Sequence, residues 1–333
     1  MILRQRVKAQ GIFLCLAALL TIIFFSRAFA LDKKESRGLS HYIMGLLYDK
    51  RGDSDSAVKE YRKALQADYK NPVIHFKLAS SYIDQNAVDK AIEELKIASG
   101  LDPEAIEPHA VLSVLYATID KTDESNREYE IALKNASKIQ PENINIYKSL
   151  GSLYLAQKNY KAAQEIYKLL IKLKPADAEA HFYLATLYDE LKNRKSAIEE
   201  LKITLQLSSD YGDALNYLGY LYVDEGRNLD QAEAMIKKAL KLEPDNGAYI
   251  DSLGWFYFKK GRIKEAIAEL EKAASLVDDP VIYEHLGDAH MKNQDKDKAR
   301  INWQKSLQLS PSQEEVKKKL QALMENEAKN RIP

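Results

Sequence analysis

Six histidines, many paired carboxylates and one cysteine are the residues of this chain from which chemistry could be built. A zinc hydrolase of the common type needs two His one helical turn apart with a Glu between them, and no His-Glu-x-x-His occurs. His285 and His290 are five residues apart, so on a helix they do not lie over one another. His41, His75, His109 and His181 recur at one position of a longer pattern, too far apart to ligate one metal. That placement points to packing between helices. There is no Gly-x-x-x-x-Gly-Lys-Ser/Thr loop, no Gly-x-Gly-x-x-Gly fingerprint and no Gly-x-Ser-x-Gly elbow. Carboxylate pairs such as Glu199-Glu200 and Asp278-Asp279 read as solvated helix faces or turns. Lys317-Lys318-Lys319 is interleaved with acids rather than aromatics, so no nucleic-acid stripe forms. No residue is assigned a catalytic, cofactor-binding or metal-binding role.

The pattern that holds these residues is a repeat. A large residue, two spacers, Leu, a small residue, two spacers and Tyr recur along the chain. The small residues are Gly45, Ala79, Ser113, Gly151, Ala185, Gly219, Gly254 and Gly287. The aromatic three positions later is Tyr48, Tyr82, Tyr116, Tyr154, Tyr188, Tyr222 or Tyr257, with His290 in the last copy. Twelve residues after the small position sits Ala57, Ala91, Ala163, Ala197, Ala266 or Ala299; Ala232 is shifted by one and Ser125 stands in the third copy. Spacings of three, four and seven put each set on one stripe of an α-helix. Small residues mark where two helices approach closely. Gly52, Gly226 and Gly261 share one position between the helices, where a left-handed cap ends the first. Pro103, Pro141, Pro175, Pro244, Pro280 and Pro311 punctuate the repeats.

These residues resemble the tetratricopeptide repeat, a helix–turn–helix unit of 34 residues. The resemblance covers about residues 38–313. It implies an all-α, right-handed α-solenoid of about eight repeats: 38–71, 72–105, 106–143, 144–177, 178–211, 212–246, 247–279 and 280–313. Residues 314–333 are expected to form a polar capping helix, with Val316, Leu320 and Leu323 facing the last repeat. The third repeat carries about four extra residues near Asn135–Ile139, and the sixth one extra residue in its turn.

Residues 1–30 have the form of an export signal: Arg4, Arg6 and Lys8, an apolar run from Gly11 to Phe25, and Ala28-Phe29-Ala30. Cleavage is expected between Ala30 and Leu31, giving a periplasmic or secreted product. The alternative is an uncleaved anchor in the inner membrane, although the run is shorter than the roughly 20 residues a spanning helix needs. Residues 31–37 read as a charged lead-in. The whole chain of 333 residues balances 49 Lys+Arg against 49 Asp+Glu. Residues 1–30 hold four bases and no acid, so the remainder is net negative. The only cysteine, Cys15, lies in the signal, so the remainder can form no disulfide.

In this family the first helix of each hairpin lines a concave groove, and the resemblance carries that role to particular residues. The N-terminal half offers Tyr42, Leu46, Phe76, Ser80, Val114, Lys148 and Ser152. The C-terminal half offers Phe182, Thr186, Asp189, Asn216, Tyr220, Asp251, Trp255, Phe258, Glu284 and Asp288, a mixture of aromatics and acids without Lys or Arg. Aromatic anchors beside fixed polar groups suit a protein or peptide partner. The acids would favour a basic or neutral segment. Each aromatic can equally pack on the neighbouring helix. The expected function is an exported, non-enzymatic protein-binding scaffold of the cell envelope, without cofactors. The alternative is a membrane-tethered assembly factor that self-associates or spaces other proteins.

Overall fold

A computed structural model describes residues 33–330. The expected export signal, its expected cleavage point and Cys15 lie outside them. Among the described residues all regular structure is helical. Eight helices open hairpins: α1 (Lys33–Lys50), α3 (Pro72–Asp84), α5 (Glu107–Thr118), α7 (Ile144–Ala156), α9 (Ala178–Glu190), α11 (Gly212–Asp224), α13 (Gly247–Lys259) and α15 (Pro280–Lys292). Eight close them: α2 (Ser54–Ala67), α4 (Val88–Leu101), α6 (Thr122–Ile139), α8 (Tyr160–Leu173), α10 (Arg194–Leu207), α12 (Leu229–Leu242), α14 (Ile263–Leu276) and α16 (Lys296–Leu309). The last helix, α17 (Glu314–Asn330), packs on α16. The first helix of a hairpin is called A and the second B. The lead-in is not separate from the first A helix, since α1 begins at Lys33. The chain divides into two compact units between Ile146 and Tyr147.

Every hairpin turns by the same backbone device. The position seven after the small residue has a left-handed backbone in all eight repeats: Gly52, Asn86, Asp120, Lys158, Lys192, Gly226, Gly261 and Gln294. The amide of the next residue then donates back to the carbonyl of the recurring aromatic, as in Asp53 to Tyr48 at 3.0 Å, Asn193 to Tyr188 at 2.7 Å and Asp295 to His290 at 2.9 Å. This 6→1 bond is the Schellman closure of a helix. Glycine takes the left-handed region freely and Asn or Asp at small cost, but Lys pays on the order of 1 kcal/mol. Lys192→Gly is therefore expected to raise stability by about 1 kcal/mol. A thermal midpoint that stays or falls would count against this strain. The extra residue of the sixth turn is also accommodated by a left-handed residue, Asn228.

The small positions are set by what faces them. A β-carbon on Gly45 would lie 2.4 Å from the ring of Tyr61, and one on Gly287 2.4 Å from Trp303. Both rings come from the paired B helix and are buried. Ala57, Tyr61 and Ala64 on α2, and Ala91, Leu95 and Ala98 on α4, are fully buried, as the B-helix stripe requires. The extra residues of the third repeat make α6 an 18-residue helix where the other B helices have 14. There Ser125 donates its hydroxyl to the Ser113 carbonyl at 2.8 Å, and buried Asn135 donates to the Pro103 carbonyl at 2.9 Å.

The four recurring histidines do more than fill space. His41, His75, His109 and His181 each place Nδ1 2.6 Å from a carboxylate oxygen of Glu60, Glu94, Glu128 or Glu200, 19 residues on. Each pair ties an A helix to its own B helix. In His75 and His181 the other ring nitrogen lies 3.0 Å from the carbonyl of Tyr69 or Pro175, so both nitrogens face acceptors. His290, which stands where the other repeats have Tyr, is buried, and burial with Lys298 nearby holds its pKa below the usual range.

Candidate partner-binding faces

In residues 33–146 the A helices leave apolar side chains open. Leu39, Val73 and Val114 are exposed, and Tyr42, Leu46 and Phe76 are half-buried against the core below. Between the first and second hairpins lies a cleft of about 630 Å³, lined by Leu39, Tyr42, Ala64, Val73 and Ile74 among others. One repeat further on, a cleft of about 250 Å³ is lined by Pro72, Val73, Phe76, Ala105 and Pro108, together with Asp102 and Glu107. The two share Val73. A-helix side chains one repeat apart thus frame successive apolar clefts. Such clefts take alternate side chains of an extended chain. Asn71 positions this surface by accepting bonds from the Val73 and Ile74 amides at 3.1 and 3.4 Å, which fixes the start of α3.

In residues 147–330 one pair of the groove residues expected from the family register stacks together, Trp255 on Phe258, and others are engaged by residues outside that set. Trp255 lies between two rings: Phe258 at 4.7 Å with planes 8° apart, and His285 at 4.0 Å with planes 12° apart. The His285 ring is held by Asp251, whose carboxylate oxygens lie 3.0 and 3.1 Å from Nδ1. Asp251 and Trp255 are buried, so neither offers free surface; both support the face from within. Phe182 stacks on Tyr211 at 5.1 Å. Asn216, Tyr220, Glu284 and Asp288 keep partial exposure.

The acids of this face are not unpaired. Arg194 reaches Asp189 at 3.3 Å and Asp224 at 2.6 Å. Tyr217 donates to Asp189 at 2.7 Å, and burial together with that carboxylate pushes its phenol well above the usual range. Lys319, from α17, bonds Glu284 at 2.8 Å and Asp288 at 2.7 Å, and Trp303 donates to Asp288 at 2.9 Å. Burial opposes the charge on Lys319, yet the two carboxylates hold its pKa above the ordinary lysine value. Arg194 comes from the B helix of the same hairpin as Asp189, and Lys319 from the last helix. The protein thus supplies part of the counter-charge of this face itself, one Arg194 to Asp189 and Asp224 and one Lys319 to Glu284 and Asp288. Similarly, Lys148 is engaged by Glu179 and, at 3.5 Å, by Asp177. Of the expected groove side chains, Asn216 Oδ1 and Trp255 Nε1 are buried without a hydrogen-bond partner.

Among the described residues no group of His, Cys, Asp or Glu could hold a metal ion. No described helix is long and apolar enough to cross a membrane.

Comparison with known proteins agrees with the repeat geometry. One tetratricopeptide-repeat family model matches residues 50–115 and 154–206, and another matches 115–178 and 218–280. A search of the curated proteins finds no match. A solved tetratricopeptide repeat protein from Parabacteroides merdae is similar over 76% of this chain and 98% of its own, at 21% identity and a TM-score of 0.57. The Cut9–Hcn1 hetero-tetramer of APC/C is similar over 82% of this chain and 54% of the matched chain, at 17% identity and a TM-score of 0.55. PilW, described as a widely conserved type IV pilus biogenesis factor, is similar over 65% of this chain and 98% of its own, at 18% identity and a TM-score of 0.50. At these identities the likeness is one of fold. That fold is an all-α repeat solenoid of the kind used as a protein–protein interaction scaffold. With eight identical turn closures, the small-residue contacts and two matching family models, the chain belongs to the tetratricopeptide repeat family.

Proposed function

We propose that this chain is an exported, non-enzymatic scaffold that holds extended segments of partner proteins against its A helices, for assembly work in the cell envelope. The observation that carries the binding mode is the pair of successive apolar clefts sharing Val73. An extended peptide rises about 3.3 Å per residue, so a short apolar segment can span adjacent clefts. In the second unit, Phe182, Asn216, Tyr220, Phe258, Glu284 and Asp288 form the partner-facing set, with Asp251 and Trp255 beneath them. Panning a random peptide library on the protein tests this reading. Enriched sequences should carry apolar residues at alternate positions. Enrichment of purely charged sequences, or of none, would sink it.

Export rests on the signal-like residues 1–30. The competing reading, a factor anchored in the inner membrane, retains them. The intact mass of the protein from its native host separates the two, because a chain beginning at Leu31 eliminates the anchor.

A further inference from the structure

The two clefts of residues 33–146 combine an apolar floor with an acidic rim. Glu35 and Asp68 line the first beside Leu39 and Val73, and Asp102 and Glu107 line the second beside Val73 and Phe76. Among the described residues no Lys, Arg or His lines either cleft. All four carboxylates are exposed. Their described hydrogen bonds come from neutral donors: Asn71 donates to Asp68 at 2.9 Å, and the Glu104 amide to Asp102 at 3.2 Å. Among the described residues none of the four forms an ion pair. The cations of this region are directed elsewhere. Lys33, Lys34, Arg37 and Lys63 line a different cleft, which meets the first at Gly38 and Ala67, and Lys63 bonds Glu60 at 2.6 Å. Lys70 and Lys77 stand 5.5 and 5.9 Å from the centroids of the Tyr69 and Phe76 rings. Lys138 pairs with Glu104 at 3.2 Å.

We infer that these two clefts select basic–apolar segments of a partner protein, in which Lys or Arg stand beside the apolar residues that enter the clefts. This selection presupposes the binding mode proposed above and adds a charge preference to it. An acidic rim repels an acidic segment and favours a basic one. Lys and Arg suit such a rim sterically as well, since their stems lie along apolar surface while the charged head stays in water. Exposed ion pairs contribute little one at a time, so the four acids together give a preference of about tenfold. The preference shrinks as salt rises, because exposed charges are screened.

Fluorescence anisotropy on the full chain tests this with three short peptides in which Leu alternates with Lys, with Gln or with Asp. The Lys peptide should bind about tenfold tighter than the Gln peptide, and the Asp peptide weaker than both. In Glu35→Gln with Glu107→Gln, the Lys peptide should lose about threefold, half of the preference, while the Gln peptide binds as before. Lys binding unchanged in that variant overturns the selection by these clefts. Equal affinity for the three peptides overturns the charge preference and leaves the apolar clefts standing, whereas binding of none sinks the binding mode and the preference together. A full chain that binds the Lys peptide only after Arg4, Arg6 and Lys8 are exchanged for Gln has its clefts filled by its own amino-terminal segment, which overturns the assignment to a partner.

Discussion

Replacing Trp255 by Ala is expected to destabilise residues 147–330 by about 3–5 kcal/mol, the range for truncating a large core aromatic. The family register places Trp255 on the groove, where truncation would weaken binding and spare the fold. The structure puts it 8% exposed, sandwiched between Phe258 and His285. Truncation removes both stacking contacts and leaves the His285–Asp251 pair beside a cavity. Its one polar atom, Nε1, makes no bond. Trp255→Phe should therefore recover most of the loss, since it restores a stacked ring. Urea titration followed by helicity checks both variants. A Trp255→Ala protein as stable as wild type would remove the sandwich from the core.

Exchanging Leu39, Val73 and Val114 together for Glu is expected to weaken binding of the selected peptides at least a hundredfold. Leaving a carboxylate facing an apolar contact costs on the order of 1–3 kcal/mol per site. Two such sites acting together reach that factor. All three residues are exposed, so stability should change by about 0.5 kcal/mol or less per site. Titration calorimetry reads the affinity and a melt reads the fold. Lost binding with an unchanged melt assigns the clefts. Unchanged binding would move the contact to the second unit, where Tyr220 and Phe258 become the residues to test.

What the sequence shows and what it hides follow from the range of each interaction. The stripes around Gly45, Ala79 and Tyr82 are local, so spacing alone exposes the helices and their pairing. The extra turn of α6 is equally plain, because four added residues are one helical turn. The left-handed position is visible at Gly52, Gly226 and Gly261 but not at Lys158, Lys192 or Gln294. There the closure bond imposes a conformation that the residue type does not advertise. The His–Glu pairs escape a search confined to one helix, since the partner is 19 residues away. Counter-charges such as Lys319 to Glu284 bridge 35 residues. The acids that spacing marks as a groove thus meet cations in the fold that spacing does not show. Register also cannot separate a groove aromatic from a supporting one, which is why Trp255 and Tyr220 look alike until their neighbours are known.

Binding on the A-helix side has a direct consequence for cross-linking. A photo-reactive phenylalanine analogue at position 73 of α3, and separately at position 237 of α12, tests it most directly in the native host. Lys237 lies on a B helix and pairs with Glu233 at 2.6 Å. Discrete protein adducts are expected from position 73 and none from position 237. Adducts from position 237 alone, or the same set from both, would contradict it.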